Sequence, residues 1–312
     1  MVLAPKFLKF IHIMSENALK LLTPKFISQL SGMELRARLI VEGFLVGMHR
    51  SPYHGFSVEF AEHRQYFPGD DTSNLDWKVF GRSDRLYIKQ YEEETNLKAY
   101  ILIDASGSMG FKHDGEITKL EYASYLAAGL IYLMMKQQDA TGLAIYDETI
   151  RRFFEPHLTY SYMKLLLTEL STVEANSKTS TATALSSLAE RIKRRGLIIV
   201  ISDFLDETKS VITALKHFRH RKNEVIALHV LDDAELNLDF ARDALFTDLE
   251  TGERIATQIS ALRSAYKISV NNFIHDLKTK CFENDIDYAL ITTSTPFDKA
   301  LTAYLTRRRK IF

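Results

Sequence analysis

The sequence predicts an α/β protein built on a doubly wound, mostly parallel β-sheet, preceded by an N-terminal helical and irregular extension. From residue 99 onward, short apolar runs alternate with longer amphipathic stretches. This alternation is typical of parallel strands joined by right-handed helical crossovers. Several of the runs contain hardly any polar residues, which indicates strands buried on both faces. A chain of 312 residues that is 46% hydrophobic is long enough for one large domain with an appendage.

The N-terminal part of the chain divides into two segments with different residue patterns. Residues 1–48 are expected to be helical, because apolar residues recur at spacings of three and four. These residues are Phe26, Leu30, Met33, Ala37, Ile40 and Phe44. Residues 49–94 mix polar and aromatic side chains around turn signals, and we interpret them as an irregular segment held by ion pairs and hydrogen bonds. The predicted domains are 1–95, packed on the main domain, and 96–312.

The main domain is predicted to contain five parallel strands and six helices. The strands are expected at residues 99–104, 142–146, 197–202, 224–230 and 287–291. The helices are expected at 119–137, 160–172, 181–194, 208–221, 259–283 and 296–309. Two hairpins complete the prediction, one formed when 151–154 pairs with the strand at 142–146, and one spanning 244–255.

Composition excludes several classes of protein. Lys+Arg and Asp+Glu both number 40, so the chain has no net positive charge that would attract nucleic acid or anionic lipid. The basic clusters at 191–195 and 218–222 fall near predicted helix ends, where cations complement the helix dipole. The single cysteine, Cys281, excludes a disulfide framework and predicts a cytoplasmic setting. No run approaches the roughly 20 apolar residues of a membrane span.

Polar side chains follow the first predicted strand of the main domain. The run at 99–103 ends in Asp104, and Ser106 and Ser108 come directly after it. In open α/β sheets, ligands bind just outside the carboxyl ends of the strands. One carboxylate and two hydroxyls at this spacing suit a hard metal ion, and Gly107 lets the backbone turn between the two serines.

A second strand and a threonine-rich loop supply further candidate ligands. The run at 197–202 is followed by Asp203, in the position that Asp104 has after its own strand, and the loop before 182 offers Thr179 or Thr181. Magnesium takes about six oxygen ligands in octahedral geometry and keeps several waters. The sequence therefore predicts a Mg²⁺ site, with Mn²⁺ or Ca²⁺ as alternatives. Its ligands are Asp104, Ser106, Ser108, Thr179 and Asp203. With few charged ligands, such a site can be completed by a carboxylate from another protein, which requires no catalysis.

These residues resemble the metal-ion-dependent adhesion site of von Willebrand factor A domains. The upstream segment 59–94, running into LIDASGSM, resembles the bacterial domain-of-unknown-function fifty-eight family, and the likeness spans residues 47–231. The resemblance implies a von Willebrand A fold in a cytoplasmic adaptor or chaperone-like protein. The partners implied by the resemblance are a MoxR-type AAA+ ATPase and client proteins, whose maturation or assembly the adaptor and the ATPase would promote together. The family usually has Gly-Gly-Thr where this chain has Ser177-Lys178-Thr179, so Thr181 is the alternative threonine ligand.

Enzyme hypotheses fit the residues around Asp104 less well. A phosphatase of the haloacid dehalogenase type needs a second acid two residues after its nucleophile, and this chain has Ser106 there. The serines are not set in the G-x-S-x-G turn of α/β-hydrolases. We therefore predict a non-enzymatic protein, and keep as the alternative a metal-dependent phosphohydrolase that uses Asp104 and Asp203.

Overall fold

The alternating apolar runs form a six-stranded sheet. The computed structural model describes residues 22–48, 63–65, 77–83, 86–89, 97–113, 115–175, 181–238, 243–247 and 254–308. The strands of the large sheet are β3 (Lys98–Asp104), β4 (Ala140–Tyr146), β5 (Ile150–His157), β6 (Leu197–Ser202), β7 (Glu224–Leu231) and β10 (Asp287–Thr292). Among the described residues, two further antiparallel pairs of strands are separate from this sheet: β1 (His63–Gln65) with β2 (Tyr87–Lys89), and β8 (Asp243–Thr247) with β9 (Arg254–Gln258).

The helices within the described residues connect and flank these strands. They are α1 (Pro24–Ser28), α2 (Met33–Met48), α3 (Trp77–Ser83), α4 (Lys119–Lys136), α5 (Tyr160–Ser171), α6 (Thr181–Arg191), α7 (Thr208–His220), α8 (Asp233–Asn237), α9 (Ile259–Glu283) and α10 (Phe297–Arg308). A 3-10 turn, Gly107–Gly110, follows β3. No helix in the described parts of the chain is both long and apolar enough to cross a lipid bilayer.

The order of the large sheet is β10-β7-β6-β3-β4-β5. Its strands pair in parallel, except that β5 runs antiparallel to β4 at one edge. The central strand β6, with sequence LIIVIS, is buried along its whole length, as expected for a strand covered on both faces. The predicted fold class, a doubly wound and mostly parallel sheet flanked by helices, is confirmed.

Two helical layers bury the sheet. On one face, α6, α7 and α9 share a core with alternate strand residues such as Leu102, Val200 and Ala227. Helix α4 contacts β3 and β4, and a capping box between Thr118 and Glu121 fixes where it begins. This cap satisfies two backbone N–H groups of the first turn. The Lys119 N–H donates to the Phe111 carbonyl at 3.2 Å, which holds the start of α4 close to the turn that follows β3.

The N-terminal helices differ from the prediction of one helical stretch over residues 1–48. Residues 1–21 lie outside the described residues, and the remainder forms two helices instead of one. The helix is interrupted between α1 and α2, where Gly32 has φ of +82°, a conformation that an α-helix cannot contain. Helix α2 packs on α4, with Ile40 lying against Gly129.

The chain divides into two units. One unit comprises Met1–Ser51 and Leu97–Phe312, and the other is Pro52–Asn96. In the first, α2 lies with the large sheet. Within the second, β1 pairs antiparallel with β2, and α3 is the described helix. Most of the segment interpreted as irregular lies outside the described residues, and the division into 1–95 and 96–312 stays a prediction.

Gly196 is expected to be essential for stability because it lies against the backbone at the start of β3. A Cβ at this position would lie 2.1 Å from the Lys98 carbonyl oxygen, and backbone atoms cannot rotate away. We expect Gly196→Ala to lower the free energy of unfolding by about 2 kcal/mol or more, as overpacking does elsewhere. Urea denaturation measures this loss.

Gly115→Ala is the matched control, because its Cβ would lie 3.5 Å from the Ile117 carbonyl oxygen, an ordinary van der Waals contact. Its stability should stay within about 0.5 kcal/mol of the parent. Equal stabilities for the two variants would contradict the close contact at Gly196.

Candidate metal centre

The candidate site lies at the carboxyl edge of the large sheet, where β3 and β6 end side by side. Asp104 is the last residue of β3, and Asp203 comes directly after β6. From β3 the chain continues to β4, which is the neighbour of β3 on one side, whereas β6 is the neighbour of β3 on the other side. Such a reversal in strand order opens a crevice at the carboxyl edge, which is where ligands bind in α/β sheets.

Asp104 is fully buried and held by three hydrogen bonds. Its Oδ1 accepts the backbone N–H of Ser106 at 2.9 Å. Its Oδ2 accepts the hydroxyls of Ser202, at 2.6 Å, and of Thr181, at 3.1 Å. Burial raises the pKa of Asp104 to about 6, and the neighbouring Asp203 charge adds to this rise, while the hydrogen bonds oppose it. The carboxylate is therefore fixed in orientation and poorly compensated in charge.

The two serine hydroxyls face each other. Ser106 precedes the 3-10 turn and is buried, and Ser108 lies within the turn and is half-buried. Their Oγ atoms are 3.2 Å apart. In an octahedral Mg²⁺ complex with bonds of about 2.1 Å, neighbouring ligand oxygens lie about 3.0 Å apart. The pair is thus spaced as two adjacent ligands of one small ion.

Asp203 is fully buried and already has a cationic partner. Its Oδ2 accepts the Lys119 ammonium at 2.8 Å, and its Oδ1 accepts the Leu205 N–H at 3.3 Å. Phe204, between the two residues of the second contact, adopts φ of +50°, in the left-handed region. Burial disfavours the charged carboxylate, but the Lys119 charge and hydrogen bond outweigh this and lower the pKa of Asp203.

The threonine candidates differ in what the structure describes. Thr179 lies outside the described residues. Thr181 is the first residue of α6, is fully buried, and donates its hydroxyl to Asp104. Thr181 is therefore in direct contact with the candidate site.

Sequence reasoning missed three residues of this edge, Ser202, Lys119 and Glu235. Ser202 links both strand ends, because its hydroxyl donates to Asp104 and accepts the Phe204 N–H at 2.8 Å. Lys119 carried one signal, since a lysine in the first turn of a helix is unfavourable in the field of the helix dipole. An unfavourable charge that is nevertheless buried indicates a specific partner.

The donor set fits a hard cation that accepts hydroxyl and water ligands. Across the described parts of the chain, no group of three or more His, Cys, Asp or Glu side chains could hold a metal ion. An ion at this edge would therefore rely on the Ser106 and Ser108 oxygens beside the Asp104 carboxylate. Oxygen-only donors at this spacing suit Mg²⁺ better than softer metals.

His229 adds a pH-dependent contribution next to the site. It lies on β7 in register with Ser202, is fully buried, and its Nδ1 is 2.6 Å from the Tyr288 hydroxyl. Burial lowers the pKa of His229 to about 4, although the Asp203 charge acts in the opposite direction. Since an unfolded histidine has a pKa of about 6.5, the unfolded chain takes up this proton first as pH falls.

The contribution of His229 is complete above about pH 6.5 and is lost toward pH 4, by about 2–3 kcal/mol at pH 4.5. We expect the stability difference between the parent and His229→Gln to shrink by this amount between pH 7 and pH 4.5. Urea unfolding at both pH values measures the difference. A difference that stays constant would show that His229 is protonated equally in both states.

Comparisons with known proteins find a relative in sequence and two similar structures. Uncharacterized protein Rv1480 of Mycobacterium tuberculosis is 26% identical over 234 residues, which cover 73% of this chain and 72% of the relative. The structure is similar to the conserved hypothetical protein BatB from Bacteroides thetaiotaomicron, with a TM-score of 0.45 and 16% identity over 68% of this chain and 99% of that one. It is also similar to the SpRpn10 VWA domain, with a TM-score of 0.40 and 14% identity over 66% of this chain and 93% of that one.

The family model described as Protein of unknown function DUF58 matches residues 62–273. This match covers more than half of the 312 residues and confirms the resemblance carried by the segment before β3 and the residues that follow it. The chain belongs to the DUF58 family.

Proposed function

We propose that the protein is a non-enzymatic adaptor that binds other proteins through a Mg²⁺ ion at the carboxyl edge of its sheet. The proposed ligands are Asp104, Ser106, Ser108 and Asp203, together with Thr179 or Thr181, some acting through water. The observation that carries the proposal is the 3.2 Å separation of the Ser106 and Ser108 hydroxyls beside the buried Asp104 carboxylate. When bound, the ion would supply a positive centre that attracts a carboxylate oxygen of the partner.

The residues of the chain are arranged to hold this edge in one geometry. Ser202 and Thr181 fix the Asp104 carboxylate, and the 3-10 turn fixes Ser108 relative to Ser106. A binding site that is rigid before the partner arrives loses less entropy on binding. Beside it, Leu205 is 46% exposed and offers an apolar contact to the residues that flank the partner's carboxylate.

The proposed partners follow from the family resemblance. They are a MoxR-type AAA+ ATPase and client proteins whose maturation or assembly the two promote in the cytoplasm. Nucleic acid is not a proposed partner, because Lys+Arg and Asp+Glu are equal in number. The phosphohydrolase alternative gains no support from the site, because Ser106 stands two residues after Asp104, where a phosphatase of the haloacid dehalogenase type needs a second acid.

The test uses the purified protein and a MoxR-type ATPase from the same organism, in a pull-down with Mg²⁺ or with EDTA. We expect a complex in Mg²⁺ that is lost in EDTA and in the Asp104→Asn variant. Asp206→Asn is the matched control, because Asp206 accepts the N–H groups of Ala182 and Glu207 and is outside the proposed ligand set.

A complex that persists in EDTA and in Asp104→Asn would place the interface elsewhere and contradict the proposal. The enzyme alternative is tested on the same samples with p-nitrophenyl phosphate. Turnover that requires Mg²⁺ and disappears in Asp104→Asn would favour the phosphohydrolase.

A further inference from the structure

A buried lysine lies next to the candidate metal centre and forms an ion pair with one of its proposed ligands. Lys119, the first residue of α4, has a side chain that is 0% exposed. Its Nζ is 2.8 Å from Asp203 Oδ2 and 2.6 Å from Glu235 Oε1. One ammonium therefore serves two carboxylates, of which Asp203 is fully buried and Glu235 is 18% exposed.

The first turn of α4, which carries the Lys119 side chain, is fixed by contacts of its own backbone. The Lys119 backbone N–H donates to the Phe111 carbonyl at 3.2 Å, and the Thr118 capping box fixes the first turn of α4. A charge in this position is unfavourable twice over, through burial and through the helix dipole. The two carboxylates are its anionic partners among the described contacts, and the Phe111 ring lies 5.9 Å from the ammonium. Lys119 and Asp203 therefore depend on each other in the metal-free protein.

Glu235 gives Lys119 a second partner that does not move with Asp203. Its Oε2 accepts the Asp232 N–H at 2.8 Å, within the capping box that begins α8. Glu235 is thus anchored to the chain after β7, whereas Asp203 belongs to the chain after β6. If a metal ion draws the Asp203 carboxylate toward itself, Lys119 keeps Glu235, and no buried ammonium is left without a counter-ion.

A divalent ion and the Lys119 ammonium are alternative counter-ions of the same carboxylate. Because both are positive and close to Asp203, each would weaken the binding of the other. The low polarity of a buried site makes this repulsion larger than it would be in water.

We propose that Lys119 is a tethered counter-cation of Asp203 that lets the protein fold without a divalent metal and keeps the Mg²⁺ affinity of the free protein low. This inference rests on the proposed function, in which Mg²⁺ binds at this edge. Its consequence is that metal and partner bind together: the ion is retained when a partner carboxylate adds the negative charge that Lys119 offsets.

The test is a Mg²⁺ titration by calorimetry combined with thermal unfolding in EDTA and in Mg²⁺. Lys119→Met removes the positive charge. The double variant, Lys119→Met with Glu235→Gln, removes one charge of each sign, and it is measured in place of the single variant if the single variant does not fold. We expect at least tenfold tighter Mg²⁺ binding in these variants than in the parent. Because a ligand that binds the folded state raises its stability, Mg²⁺ should also raise their Tm by more than it raises that of the parent.

Two controls separate charge from general destabilisation. Lys119→Arg keeps the charge and should bind Mg²⁺ as the parent does. Asn223→Ala removes hydrogen bonds to Gly196 and Phe218, away from the site, and its lowered Tm should not be specifically restored by Mg²⁺.

If the parent binds Mg²⁺ and the Lys119 variants bind it no more tightly, the inference is overturned and the proposed function stands. If neither the parent nor any variant binds Mg²⁺, both are overturned.

Discussion

Replacing Asp104 by asparagine is expected to lower Mg²⁺ affinity by about 100-fold or more, because it removes one of the two proposed carboxylate ligands, and the other, Asp203, is already paired with Lys119. The fold should survive. An asparagine Oδ1 still accepts the Ser106 N–H, and the hydroxyls of Ser202 and Thr181 can accept from the amide group in place of donating to the carboxylate. Calorimetric titration of Mg²⁺ measures the affinity, and near-ultraviolet circular dichroism reports the fold.

The same substitution should stabilise the metal-free protein at neutral pH. Burial raises the pKa of Asp104 to about 6, so folding is opposed by its ionisation above the unfolded pKa of about 4. This cost is complete above about pH 6, is absent below about pH 4, and amounts to about 3 kcal/mol at most. Asp104→Asn should therefore be more stable than the parent at pH 7 in EDTA, with a gain that disappears toward pH 4. Global unfolding of the variant would instead mean that Asp104 is structural.

Lys119→Met is expected to have the largest effect on stability, a loss of about 3–5 kcal/mol in EDTA at pH 7. The substitution leaves the Asp203 and Glu235 carboxylates buried without their shared cation. The loss comes from the uncompensated charges, since methionine fills most of the volume of the lysine stem. Urea unfolding measures the free energy.

Lys136→Met provides the control within the same helix. Lys136 lies in the last turn of α4 and is exposed, so its replacement should change stability by no more than about 0.5 kcal/mol. A loss below about 1 kcal/mol for Lys119→Met would show that the buried ion pairs contribute little to folding.

The elements that the sequence predicted well are those whose pattern is local. The strand predicted at 197–202 and the helix predicted at 259–283 are β6 and α9 with the same bounds, because an unbroken apolar run and a long stretch of helical spacing each leave few alternatives. The edge strand β5 runs from Ile150 to His157, beyond the predicted 151–154. It includes Pro156, which an edge strand tolerates because one side of it is unpaired.

Part of the candidate site could be predicted for a topological reason. Asp104 and Asp203 follow parallel strands, and the carboxyl ends of parallel strands meet at one edge. Their association needs no knowledge of side-chain packing. The predicted ligand role of Asp104, Ser106, Ser108, Thr179 and Asp203 stays a prediction.

The contacts that modify the site could not be predicted. Lys119 is 84 residues from Asp203 and 116 from Glu235 along the chain. Whether an ammonium reaches either carboxylate depends on the placement of α4 and α8 around the sheet. Thr181 and Ser202 likewise reach Asp104 through rotamers that only the packed structure determines.

The most direct test of the metal site is crystallographic. Crystals are soaked in Mn²⁺, and anomalous difference density is measured for the parent and for Asp104→Asn. We expect one peak bonded to the hydroxyl oxygens of Ser106 and Ser108 beside Asp104, and no peak there in the variant. A well-ordered parent crystal with no anomalous peak at this edge, or with a peak that the substitution leaves unchanged, would contradict it.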